Sequence, residues 1–337
     1  MPAHIATTSP WTTLRSRVAA LLATLLVAGA VSLTPAGNPE VASAAVAPTS
    51  EAVSATSMES GGNATCSIRT DRTLWCWGSL WTATAMFVID GGKIGENGKN
   101  EPQQIGTNLW LSVSVGEYNV CGIVIPTASS TSGSLHCFGS NQYGQLGIDP
   151  GTLRMSVEPV QVGTATNWTS VSVGENTVCA IRSHSLYCLG DNSYGQIRPI
   201  ADGQQFSTLT EVSFAVNIAG AVAVGSNHIC FLVRSDAELR AREAFCNGDN
   251  DYGQLGDTTT TDSSEWVPVD GSHKYQSIVA SRLFTCGVAA ATTAPIGNAG
   301  KAFCWGENQN GQVPRTVLGT NVSSPQLISE ELLFRSL

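Results

Sequence analysis

Ten cysteines in five close pairs govern what this 337-residue chain can fold into. In chain order they read as Cys66 with Cys76, Cys121 with Cys137, Cys179 with Cys188, Cys230 with Cys246, and Cys286 with Cys304. The first members recur at intervals of 55, 58, 51 and 56 residues. A period of this size marks a propeller, a solenoid or an array. Five residues before each first cysteine stands Gly61, Gly116, Gly174, Gly225 or, in the last copy, Ser281. Two residues after each second cysteine stands Gly78, Gly139, Gly190, Gly248 or Gly306. A polar turn follows: Asn141 to Gly147, Asn192 to Ile197, Asn250 to Gly256 and Asn308 to Val313, with only Gly92 to Gly95 kept in the first copy.

Before each glycine runs an alternating segment, Trp110 to Val115, Trp168 to Val173 and Tyr275 to Ala280, with smaller residues at Ala219 to Val224. Period-two alternation with β-branched residues predicts strands, and no mature segment sustains a 3.6-residue period. Counting Pro102 to Ile105, Pro159 to Val162 and Pro268-Val269 as last strands, each unit supplies about four. Four short strands in about 55 residues make one propeller blade. The expected fold is therefore all-β, a β-propeller of about five four-stranded blades. The repeats fall at about 58–109, 110–167, 168–218, 219–274 and 275–337 of a 58–337 domain.

Within each copy the cysteines flank a hairpin loop of variable length, which places them opposite each other on neighbouring strands. Directly opposed antiparallel residues lie within disulfide range. One intra-blade disulfide per blade is the expectation, and no thiol is left over as a nucleophile. A zinc site fails on spacing, since no CxxC pair occurs and histidines do not recur beside the cysteines.

The order Trp-x-Ser-Val-x-x-Gly, Cys, Cys-Trp-Gly, Asn-x-Tyr-Gly-Gln-Leu-Gly and Pro-Val-x-Val resembles the regulator-of-chromosome-condensation (RCC1) repeat family, here in a secreted, bacterial-type form. The resemblance covers residues 58 to 337. It implies a propeller, typically of seven blades. The founding activity of that family is nucleotide exchange on a nuclear small GTPase alongside chromatin. A secreted bacterial propeller with similar repeats inhibits β-lactamase instead. The resemblance lies in the scaffold, so no contact residue is carried over.

The chain begins with a basic start, Arg15 and Arg17, followed by an uncharged apolar run from Val18 to Leu33. That is the layout of a secretory signal peptide, with Ala42-Ser43-Ala44 as a cleavage site and residues 1–44 removed. The apolar run is shorter than a spanning helix needs, so cleavage rather than retention as an anchor is expected, with no membrane span afterwards. Residues 45–57, poor in large apolar side chains, read as a disordered linker. The mature chain keeps 15 Lys+Arg against 25 Asp+Glu. That balance argues against nucleic acid, and with export it argues against the exchange-factor role.

The Asn-x-Tyr-Gly-Gln turns read as architecture: Asn and Gly suit positive φ, and the Gln amide bonds backbone groups of a neighbouring connection. Asp191, Asp249, Asp251, Asp257 and Glu307 beside them read as solvated turn carboxylates, because no EF-hand calcium loop occurs. His136, His184, His228 and His273 lack any G-x-S-x-G or H-E-x-x-H context. Asn63, Asn167 and Asn321 head glycosylation sequons, which matter only in a glycosylating host. No catalytic residue, metal ligand or cofactor is assigned. Trp77, Trp305, Phe138, Trp110, Trp168 and Tyr275 read as core, whereas Trp81, Phe87, Phe206, Phe214 and Trp266 fall outside the repeat grid. The segments Pro126–Gly133, Arg198–Glu211, Thr258–Trp266 and Ala289–Gly300 vary most between copies, as binding loops of repeat proteins do.

The closing residues Phe334 to Leu337 match the opening of a repeat strand, and Ala55 to Ser60 is weak in strand formers. The C-terminal strand is therefore expected to complete the first blade, the competing reading being a longer propeller stopped inside a sixth repeat. Function follows as a non-catalytic, secreted or cell-envelope module whose loops hold a protein partner, with inhibition as one form and carbohydrate as a second ligand class. A hydrolase or lyase using the central funnel and a structural envelope component are the alternatives.

Overall fold

The computed structural model describes residues 55–81, 86–88, 102–198, 205–212, 218–234, 242–271, 273–290, 298–314 and 316–334, all within one compact unit, Ser50–Leu337. The signal peptide, its cleavage site, residues 45–54 of the linker and the side chains of Trp81, Phe87 and Phe214 lie outside the described residues. The described secondary structure is β-strand, and no described helix is long and apolar enough to cross a membrane.

The strands repeat as consecutive antiparallel groups. The first is β1 (Ala55–Gly61), β2 (Asn63–Arg69), β3 (Leu74–Trp81), β4 (Met86–Val88) and β5 (Gln103–Gln104), with β4 and β5 both pairing β3. The second is β6 (Leu109–Val115), β7 (Asn119–Ile125), β8 (Ser134–Ser140) and β9 (Met155–Gln161). The third is β10 (Trp168–Val173), β11 (Thr177–Arg182), β12 (Ser185–Asp191) and β13 (Gln205–Glu211). The fourth is β14 (Ile218–Val224), β15 (His228–Arg234), β16 (Arg242–Gly248) and β17 (Ser263–Pro268). The fifth is β18 (Tyr275–Ala280), β19 (Phe284–Ala289), β20 (Ala302–Gly306) and β21 (Val322–Leu327). One residue pair, Arg242 with Tyr275, joins the last two groups into a hydrogen-bonded run of eight strands.

Two irregularities recur from group to group. The first strand slips register near its start, between Trp110 and Ser112, Trp168 and Ser170, or Tyr275 and Ser277. Bulges of this kind raise the local twist. They accompany full burial of Trp110, Trp168 and Tyr275 between neighbouring groups. The third strand breaks register at Gly139, Gly190, Gly248 and Gly306, whose φ values run from 106° to 112°. An L side chain is strained there, which explains the glycine after every second cysteine.

Each group is clasped at its centre. Cys66–Cys76, Cys121–Cys137, Cys179–Cys188, Cys230–Cys246 and Cys286–Cys304 are disulfides between directly opposed residues of second and third strands, with Cα atoms 4.1 Å apart. In the first four groups the disulfides are buried in apolar clusters that also take in the neighbouring group's aromatic residue, such as Trp110 beside Cys66 and Cys76. The core is thus divided into seams between groups rather than gathered into one centre.

Two expectations about the chain ends need correction. β1 is formed by the chain's own Ala55–Gly61, paired with β2 from Ala55 to Gly61, so the segment read as linker already contains strand. Phe334 donates its N–H to the carbonyl of Gly300 in the fifth group, and does not pair with the first. Arg335 to Leu337 lie outside the described residues. Pairing decided the matter: any backbone can fill an edge strand, whatever its side-chain propensity.

Candidate functional site

The recurring Asn turns are structural. Asn141, Asn192, Asn250 and Asn308 are buried, and each side-chain oxygen accepts the backbone N–H five residues on, at 2.7–2.9 Å. The Gln oxygens accept from their own turn, as Tyr143 N–H to Gln145 at 2.8 Å and Tyr194 N–H to Gln196 at 3.0 Å. Reach to a neighbour comes through the amide nitrogen and main chain instead. Gln145 Nε2 donates to Asn176, and the Gln254 carbonyl accepts from Trp305 Nε1 at 2.9 Å.

The carboxylates beside the turns are not all solvated, contrary to the sequence reading. Asp191 and Asp249 are 7% and 4% exposed. Asp191 accepts from the N–H and hydroxyl of Ser193, and Asp249 accepts from Asp251 N–H. Short polar side chains satisfy turn backbone in this way, which is why they can be buried. Asp249, Asp251 and Asp262 converge within 4.8 Å, and Asp262 accepts Asn250 N–H at 2.7 Å. These backbone bonds account for the convergence. Burial, followed by the neighbouring carboxylates, holds the Asp249 carboxyl above its ordinary range.

The four histidines go to separate places. His184 follows Ser183 in the β11–β12 turn, both at positive φ (64° and 49°). A two-residue hairpin turn of that shape prefers Asn-Gly, so His184→Gly is expected to raise stability by about 1 kcal/mol, read as a higher urea midpoint. His136 sits edge-on to Trp110, and His273 stacks on Phe303 with ring centres 4.2 Å apart. His228 is fully buried, its Nε2 2.9 Å from Thr285 Oγ1. Thr285 in turn donates to the Gln254 carbonyl at 3.0 Å, so its hydroxyl proton is committed. Burial lowers the His228 imidazole to about 4, keeping it neutral. Phe206 and Trp266, outside the repeat grid, pack half-buried against the third core cluster.

Two accessible features stand out among the described residues. The tips between first and second strands gather Glu117, Tyr118, Glu175 and Arg282. Arg282 Nε lies 3.7 Å from Glu117 Oε2, and burial, then Glu117 and Glu175, push the Tyr118 phenol up. The other is a cavity of about 760 Å³ walled by the Pro126–Gly133 segment. Its floor is Leu109, Val124 and Ile125, and its rim carries Asn108, Thr166 and the hydroxyls of Ser130 to Ser132. The wall is tied down at both levels: Gly133 and Trp168 exchange both backbone hydrogen bonds, and Thr127 bonds Ser130 at 2.8 Å. Length variation marked this segment in the sequence, but its cavity depends on the Trp168 strand of the next group.

The comparisons with known proteins agree on family and fold. The regulator of chromosome condensation (RCC1) repeat model matches residues 132–181. The X-linked retinitis pigmentosa GTPase regulators of dog and human are 27% and 26% identical over 181 residues, about half of this chain and 16% of each relative. Among solved structures, Prp20p from Saccharomyces cerevisiae superposes with a TM-score of 0.67 at 17% identity, covering 82% of this chain and 63% of that one. Human WBSCR16 gives 0.62 at 17% identity, covering 82% and 68%. With its recurring four-stranded groups, glycines and turns, the chain carries RCC1-type repeats and has the β-propeller fold.

Proposed function

We propose that this chain is a non-catalytic binding module that holds a protein partner at the Pro126–Gly133 cavity. The observation that carries the reading is the cavity's lining: a pre-formed, uncharged wall of hydroxyls over an aliphatic floor. Hydroxyls suit the amides of an extended peptide segment, and the aliphatic floor suits its apolar side chains. A wall already fixed by hydrogen bonds loses little conformational freedom on binding. The most strongly shifted groups, His228 and Tyr275, lie in the core away from this cavity, which supports binding over catalysis. Prp20p has binding properties to Gsp1p and histones. By analogy of scaffold alone, a protein partner suits this chain too.

Five buried disulfides support an oxidising compartment, and hence export by residues 1–44 to the cell surface or medium, with residues 58–337 as the binding domain. The partner differs from a chromatin-bound GTPase because net charge and redox setting both oppose that role. Replacing residues 126–132 by Asn-Gly makes a two-residue turn, since Val124 pairs with Ser134. This variant is expected to keep its melting temperature within a few degrees and to lose a partner that the oxidised wild type retains by affinity capture. Undiminished capture by the folded variant would refute the site.

A further inference from the structure

Each seam between successive repeats is built from close backbone contacts, and the fifth repeat lacks the means to make another. The glycine five residues before each first cysteine supplies the closest of these contacts. A Cβ on Gly61, Gly116 or Gly174 would stand 2.2, 2.1 or 2.0 Å from a carbonyl oxygen of the following repeat, in Val115, Gly174 or Gly225. On Gly225 it would meet the Ser281 carbonyl at 2.6 Å and the His228 ring at 2.1 Å. None of these four has a positive φ, so proximity alone excludes a side chain. The fifth repeat carries Ser281 at this position, exposed and with a Cβ.

Two further contacts bridge some of these seams. Ser114 Oγ accepts Val173 N–H at 3.0 Å, and Ser172 Oγ accepts Val224 N–H at 3.1 Å, each across a seam. The fourth repeat has Ala223 at this register and still meets the fifth, so this bond is not required for a seam; the fifth repeat has Val279 there, exposed. The turn glycines Gly144, Gly195 and Gly253 are buried under Ser207, Ser264 and Ser323 of the next repeat, whose atoms lie 2.6–2.7 Å from a placed Cβ. The fifth turn's Gly311 is exposed, and the nearest atom to a placed Cβ is Leu318 Cδ1 of its own loop, at 3.5 Å. At the opposite end of the array β1 is open along its length, with Met58 60% exposed. The tip of the fifth repeat reaches the second repeat through Arg282 and Glu117.

We infer that the outward face of the fifth repeat is capped. Ser281 and Leu318 stop its outward face from taking another repeat in the common register, whether the first repeat of this chain or a repeat of a second molecule. The ring therefore stays open between the first and fifth repeats.

The test uses the oxidised full chain. Gly174→Ser is expected to melt about 5 °C lower or more, as an overpacked seam should, while Ser281→Gly moves the midpoint by less than about 2 °C. Equal melting of Gly174→Ser and wild type would overturn the steric argument. A benzophenone side chain at Val279 reads the gap directly and does not depend on Gly174→Ser folding. Irradiation is expected to capture no peptide from Ala55–Gly61, within one molecule or between two. A cross-link to that strand would overturn the cap.

Discussion

Replacing Cys179 and Cys188 together by alanine is expected to lower the unfolding free energy by about 3 kcal/mol, measured from urea midpoints. The figure follows from the chain entropy released to the unfolded state when a loop of this size is opened. The two residues are 9 apart in sequence, and the most widely spaced pair, Cys286 and Cys304, is 18 apart. Loop entropy grows only with the logarithm of length, so the five bridges should differ by less than about 1 kcal/mol. A much larger loss at one bridge would locate packing beyond the entropic effect. All ten cysteines are at most 7% exposed, so a reductant must wait for the repeat to open. Reduction under native conditions is accordingly expected to follow opening rates rather than reductant concentration, as quenched time courses would show.

Acid should destabilise the protein through His228. Its folded value, about 4, lies below the ordinary histidine value of the unfolded chain, so the unfolded state binds the proton first as pH falls. Stability is full above about 6.5, declines as pH drops toward about 4 and levels off below, for a total of about 3 kcal/mol. Protonation would place charge on Nδ1, a buried atom with no hydrogen-bond partner. Burial shifts half-buried His136 and His273 in the same direction, adding a smaller effect. The preceding repeats carry Asn119 and Thr177 at this register, both fully buried. His228→Asn should therefore keep the fold and flatten the acid limb in urea titrations from pH 7 to 4. An unchanged limb would assign the acid sensitivity elsewhere.

Repeat, strand and family were legible because they are written in local pattern. Alternation set the faces of Trp110 to Val115, and glycine after each second cysteine marked a position whose φ excludes other residues. The burial of Asp191 and Asp249 was not legible, since polarity suggests solvent until the backbone donors that satisfy them are in place. Nor was β1, whose Ala55 to Ser60 has poor strand formers and is held by pairing with β2. The variable loop Pro126–Gly133 was visible as a length change, but its cavity was not, because one anchor is Trp168 of another repeat.

The sequence by itself determined the repeated hairpins, their all-β character and the repeat type, because contacts a few residues apart leave a periodic trace. Only the tertiary structure decided which faces meet, which end stays open and where a pre-formed cavity stands. Those depend on contacts such as Val224 with Ser172, 52 residues apart, and Trp305 with Gln254, 51 apart. At such separations the partner of a backbone group is set by the stacking of whole repeats, and no local pattern encodes it.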